Sequence, residues 1–146
     1  MAQINGGRVV VGGLLAGLVM NLVDATANGI LLSGRWTAET TSLNPHLMEQ
    51  AASTSIAGWV LVDFLTGIVI VWLYAAMRPR FGEGPSTAVR AGLAAWILGQ
   101  AVYLSYAFNG MFSWGLIGTS AAARLVASLA GAYAGAWLYR EPVARV

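Results

Sequence analysis

The sequence predicts an all-α integral membrane protein, a bundle of four spanning helices. Hydrophobic residues make up 58% of the chain and charged residues only 10%, whereas a soluble domain carries about 25% charged residues. Mean hydropathy is +0.67. The apolar residues gather into four uninterrupted runs, each near the roughly 20 residues that a spanning helix requires. A transmembrane barrel would show short segments of alternating polarity instead. The 146 residues suit a single domain.

The first run is Val9 to Leu32. At about 1.5 Å per residue it reaches roughly 36 Å, enough for a hydrocarbon core of about 30 Å. A charged amino end, this run and Ala25-Thr26-Ala27 imitate a secretory signal. The run is long, however, is broken by Asn21 and Asp24, and continues to Leu32, so it is expected to be kept as a span. Gly13, Gly17, Asn21, Asp24 and Asn28 recur at helical spacing and share one face. Small residues there let another helix approach, and the polar ones call for partners.

Residues 33–55 form the outer loop, predicted to be partly helical. Gly34 and Arg35 stop the first helix, Trp36 is placed as an interface anchor, and Asn44-Pro45 is a helix start. His46 and Glu49 can pair on a solvated helical turn. The second span is expected at about 56–77, ended by Pro79. The third is expected at about 88–108, capped by Ser86 or Thr87. The fourth is expected at about 116–139.

Orientation follows from the arginines; the chain has no lysine. Arg8, Arg78, Arg80, Arg90, Arg140 and Arg145 fall on one side and only Arg35 flanks a span on the other. This bias predicts that both termini face the cytoplasm. Trp72, Tyr74, Trp137 and Tyr139 then mark the inner interface, and Trp36, Trp59, Phe112 and Trp114 the outer one. Trp72-Leu73-Tyr74 recurs as Trp137-Leu138-Tyr139, and Asn28-Gly29 as Asn109-Gly110. These echoes suggest a helical hairpin used twice in parallel orientation.

Three charged residues lie inside spans: Asp24, Asp63 and Arg124, with Gln100 the strongest other polar candidate. Each sits about 11 Å from the outer end of its own helix, which predicts one polar layer with Asn21 and Asn28 beside it. Each charge left facing lipid would cost about 2.5–3.5 kcal/mol at the bilayer centre. Pairing Arg124 with a carboxylate removes much of that cost, and one of the two aspartates is expected to remain unpaired. The layer is a clasp fixing helix register or, alternatively, part of a permease or proton path. Toward the cytoplasm only Asn21, Thr66 and Ser128 continue it. Ala123, Ala127, Gly131 and Gly135 on helix four, Ala91, Ala95 and Gly99 on helix three, and Gly13 and Gly17 on helix one form small-residue stripes for close packing within the bundle or between subunits.

Several function classes are excluded on this reading. Without cysteine there are no disulfides, thiolate metal sites or thiol redox chemistry. The single histidine lies in a loop, so no catalytic triad or metal cluster can be assembled. Gly6-Gly7 and Gly12-Gly13 lack the spacing and lysine of a phosphate loop. The arginines sit at membrane edges rather than in a nucleic-acid-binding stripe. We therefore expect no cofactor, no metal, no nucleic acid and no catalysis. The expected partners are the lipid bilayer and either further copies of the chain or other membrane-protein subunits, to which it would be accessory.

The run from Val71 to Pro85 (VWLYAAMRPRFGEGP) resembles small bacterial four-helix membrane proteins of no assigned function. The opening Gly12-Gly13-Leu14-Leu15-Ala16-Gly17 and the closing Ala134-Gly135-Ala136-Trp137-Leu138-Tyr139-Arg140-Glu141 resemble them as well. These are helix-end and packing motifs. The resemblance implies the fold and no activity, and it carries over no functional residues.

Overall fold

The computed structural model describes residues 4–47, 49 and 55–139. It contains α1 (Gly6–Asp24), a π-helical segment (Ala25–Leu31), α2 (Ser33–Leu43), α3 (Ser55–Phe81), α4 (Pro85–Phe108) and α5 (Trp114–Leu138). Among the described residues there is no strand. Four stretches are long and apolar enough to cross a membrane: Gly6–Leu31, Ile56–Phe81, Pro85–Phe108 and Trp114–Leu138. Arg140, Arg145 and the rest of the carboxyl tail lie outside the described residues, as do Met48 and residues 50–54 of the outer loop.

The spans alternate in direction. α3 and α5 run parallel and touch; α1 packs against both from one side, and α4 packs against both from the other. Two hairpins, α1–α3 and α4–α5, thus meet along α3 and α5. At one end of that seam the paired tyrosines of the sequence echo, Tyr74 and Tyr139, stack edge-on with centroids 6.0 Å apart.

Small residues hold the helices together. A Cβ on Gly67 would stand 2.5 Å from both Gly13 O and Gly17 N, and one on Gly13 would stand 2.5 Å from Ile68 Cα. On the neighbouring face of α1, Gly12 lies against Gly135, and Gly131 against Ala16 and Met20. Ala127 is fully buried on the same helix as Gly131 and Gly135. Gly99 is the exception among the expected stripes. It is exposed, with nothing within 4 Å of its missing Cβ, so it packs against no described helix of this chain. Beside a small core that includes Ile70, Val71, Leu116 and Ile117, many large aliphatic side chains point outward: Leu18, Leu22, Leu65, Val69, Leu98 and Val126 are all exposed. A water-soluble bundle buries such residues; in lipid, close backbone packing holds the bundle instead.

The helix ends differ from the expectations at four places. Gly34 and Arg35 do not stop the first helix: both lie inside α2, and the break falls at Leu32. Pro79 does not end α3, which runs to Phe81. Proline's fixed φ is helical, so in a last turn it removes only one hydrogen bond. The helix is closed by Gly82 at φ 80°, whose N–H donates to Arg78 O at 2.9 Å. Neither Ser86 nor Thr87 caps α4, which starts at Pro85 after Gly84 (φ 117°). The Thr87 hydroxyl instead donates to Gly82 O at 2.8 Å, serving the end of the preceding helix. The first span is not α-helical throughout. Its last turns are π-helical, and Leu32 N–H donates to Ala27 O, five residues back, at 2.8 Å. Thr26, Asn28 and Gly29, poor helix formers, lie in that segment.

The contrast between two glycines is testable. Gly67→Ala should lower the midpoint of thermal unfolding in detergent, by circular dichroism, because an added methyl meets backbone; overpacking of this kind costs about 1–3 kcal/mol. Gly99→Ala should raise the midpoint slightly, since alanine favours a helix by about 0.5–1 kcal/mol over glycine.

Candidate functional site

The π-helical segment begins where the polar side chains gather. Asp24 is the last residue of α1, Asp63 lies in α3 and Arg124 in α5. The Arg124 Nη1 atom donates to Asp24 Oδ2 and to Asp63 Oδ1. One guanidinium nitrogen thus joins three helices. The expectation that one aspartate stays unpaired is corrected: both reach the same cation, because α1 and α3 pack on adjacent sides of α5. The side chains of Arg124, Asp24 and Asp63 are 23%, 15% and 4% exposed. If all three are ionised the triad carries one net negative charge.

The other predicted members have different partners. Gln100 is buried, but it lies on α4, across the α3–α5 pair from Asp24. Its Oε1 and Asp24 Oδ1 have no hydrogen-bond partner among the described residues. The expected four-helix layer is therefore a three-helix triad with Gln100 not hydrogen-bonded to it. Asn21 donates to Gly17 O in its own helix at 2.9 Å and to Val60 O of α3 at 3.4 Å. Asn28 Oδ1 accepts from the Ser120 hydroxyl of α5 and from Trp36 Nε1 of α2, the latter at 3.2 Å.

These contacts form a ladder between antiparallel helices. Asp24 faces Arg124, and one turn further along Asn28 faces Ser120. Asn28 follows Asp24 by four residues, and Ser120 precedes Arg124 by four. The matching spacing on helices of opposite direction was the available signal for Ser120, which sequence reasoning missed. The ladder ends at α2. There Glu39 accepts from Ser113 N–H at 2.7 Å and from Ser113 Oγ at 2.7 Å. Ser113 also caps α5 by accepting from Leu116 N–H. Trp36 is half-buried on the bundle side of α2. Its ring stacks edge-on against Phe112 at 5.1 Å and Tyr103 at 6.3 Å.

Beyond the triad in the other direction the polar groups turn inward on their own helices. The Thr66 hydroxyl donates to Val62 O at 2.7 Å. Past it come the backbone contacts of Gly13, Gly67, Gly131 and Gly135. At that far end Tyr74, Tyr139 and Arg78 pack together, with Arg78 Nη2 donating to Glu83 Oε2 at 2.7 Å. No group of His, Cys, Asp and Glu suited to a metal ion occurs among the described residues. His46 and Glu49 lie 3.7 Å apart and are almost fully exposed, so water solvates the pair.

The charge count predicts an order of effects. Arg124→Ala leaves two buried carboxylates without a cation and should cost about 3–5 kcal/mol. Asp24→Asn leaves a one-to-one pair and should cost clearly less. Thermal unfolding of both variants in the same detergent checks the ranking, which a reversed order would refute.

No family model, curated protein or solved structure matches this chain, so its resemblance to small four-helix membrane proteins assigns it to no family.

Proposed function

We propose that this chain is a non-catalytic, multi-pass membrane protein whose Asp24–Arg124–Asp63 triad is a structural clasp, and that it acts as a homo-oligomer or as an accessory subunit of a larger membrane complex. The observation that carries this reading is how the partly buried cation midway along α5 is held: Arg124 is committed to two carboxylates on two other helices. A group so committed fixes the register of α1, α3 and α5 and is poorly placed to receive a solute. The tight glycine contacts beyond Asp63 support the same reading, since they leave backbone against backbone where a path would continue. The outward-facing large apolar side chains supply the surface for lipid and for a neighbouring subunit.

The membrane we infer is the bacterial cytoplasmic one, with both termini inside. In support, Arg8, Arg78, Arg80 and Arg90 flank the same end of the bundle, at the start of α1, the end of α3 and the start of α4, while Arg35 lies at the other. The rival reading, a small permease or proton-conducting protein, is favoured by the ladder from Glu39 and Ser113 through Asn28 and Ser120 to Arg124.

Changing Asp24 and Asp63 together to Asn separates the two. Under the clasp reading, native gels show the assembly lost, and proteoliposomes of the unaltered chain pass protons no faster than empty vesicles. Proton flux in the unaltered chain that vanishes in the variant while the assembly survives would establish the rival.

A further inference from the structure

The α2 helix lies across the end of the polar ladder and is lightly held there. None of its residues is buried. Only Trp36, Glu39 and Thr40, at helical spacing, are even partly covered. Its backbone comes close mainly to the π-helical end of the first span, the segment it follows in the chain. What fixes it to the bundle is a short set of polar and ring-edge contacts: Glu39 on Ser113, Trp36 Nε1 on Asn28, and the Trp36 ring on Phe112 and Tyr103. Leu32, at φ −104° and ψ 0°, breaks the helix between the π-helical segment and α2. A helix with few buried contacts and a break at its root opens at lower free energy than the body it covers.

Directly beneath it the side chains are polar in succession. Trp36 covers Asn28, Asn28 meets Ser120, and one turn further lie Asp24 and Arg124. Asp24 Oδ1 is buried without a hydrogen-bond partner among the described residues, a group that water arriving along this file would satisfy. We propose that α2 is a hinged plug, held shut by Glu39 on Ser113 and Trp36 on Asn28, that controls the access of water from that end of the bundle to the Asp24–Arg124–Asp63 triad. This holds whether the triad clasps or conducts, and whichever way the bundle faces.

The latch depends on the charge of Glu39. The Ser113 N–H, then its hydroxyl, hold the Glu39 carboxyl below the usual carboxylate range. Slight burial opposes this, and Arg35 on the same helix adds to it. Because the pKa is depressed in the closed form, the latch is at full strength above the ordinary glutamate value. It is lost as pH falls through the depressed one. The Glu39 latch is therefore fully made at neutral pH and weakens in acid.

The absence of native cysteine makes the test clean. Ser120→Cys, in the full chain in nanodiscs at constant neutral pH, is exposed to a charged, membrane-impermeant thiosulfonate reagent. Labelling should be slow. It should rise about tenfold when Glu39→Ala removes both charge-assisted bonds, and further when Trp36→Phe removes the indole N–H. Hydrogen exchange of the α2 amides should quicken in Glu39→Ala, with or without the cysteine, and in the cysteine-free native chain it should quicken as the pH is lowered, after correction for the intrinsic rate. If Ser120→Cys does not fold, hydrogen exchange of α2 in the cysteine-free native and Glu39→Ala chains decides the matter, and unchanged exchange overturns the proposal. Equal labelling with and without Glu39 and Trp36 would overturn the proposal, as would faster labelling with unchanged α2 exchange. Neither outcome bears on whether the assembly needs Asp24 and Asp63, so the plug and the clasp stand or fall separately.

Discussion

A single guanidinium shared by two carboxylates sets the relative height of three helices. In hydrocarbon an unpaired charge is costly, and an arginine keeps its charge in nearly any surroundings. Once Arg124 is committed to α5, Asp24 and Asp63 must come within its reach, and sliding α1 or α3 by a turn would strand a charge. The other polar contacts accept that setting. Asn21 reaches Val60, and Asn28 reaches Ser120, each from a position about one turn from its aspartate.

Register alone does not make helices adhere in lipid, where leucine gains nothing by turning inward. Here the glycines complete what the ion pairs begin. α1 offers Gly13 and Gly17 to α3 and Gly12 and Ala16 to α5, so one helix uses two small-residue faces. Gly67 and Gly131 answer from the other side. The polar clasp lies toward one end and the close backbone contacts toward the other, and together they tie α1, α3 and α5 along most of their length. Among the described residues α4 has no comparable charged contact. Its links to α5 include Gly92 against Ser128 O and a hydrogen bond from Trp96 Nε1 to Ala121 O at 2.9 Å.

Much of this architecture was legible in the sequence because spans in lipid are written in composition, and composition survives without knowledge of contacts. Depth brought Asp24, Asp63 and Arg124 together, although the Asp63 backbone lies beside Gly17, seven residues before Asp24 on α1. Depth, however, is one coordinate of three. It put Gln100 at the right level without revealing that α4 stands across the α3–α5 pair from α1, and it could not tell that Gly99 faces outward. The end of α3 was misjudged because Pro79 acts by what it removes, and in a last turn it removes little; Gly82 carried the stronger stop. Trp36 was read by its general role at interfaces, which gave no sign that its indole N–H donates to half-buried Asn28 of the first span. The Glu39–Ser113 pair, far apart in the chain, left no spacing to detect.

The π-helical segment has a consequence of its own. A π turn holds one residue more than the α-helical stretch it replaces, and each residue of an α-helix turns the chain by about 100°. The surplus residue between Asp24 and Leu32 therefore acts as an azimuth setting: it decides toward which neighbour the chain leaves the bundle. Shortening the segment by one position would keep every apolar residue within the bilayer and leave hydropathy almost unchanged, yet it would swing α2 away from α5 and carry Trp36 off Asn28. Length in this stretch, more than identity, is what steers the connection.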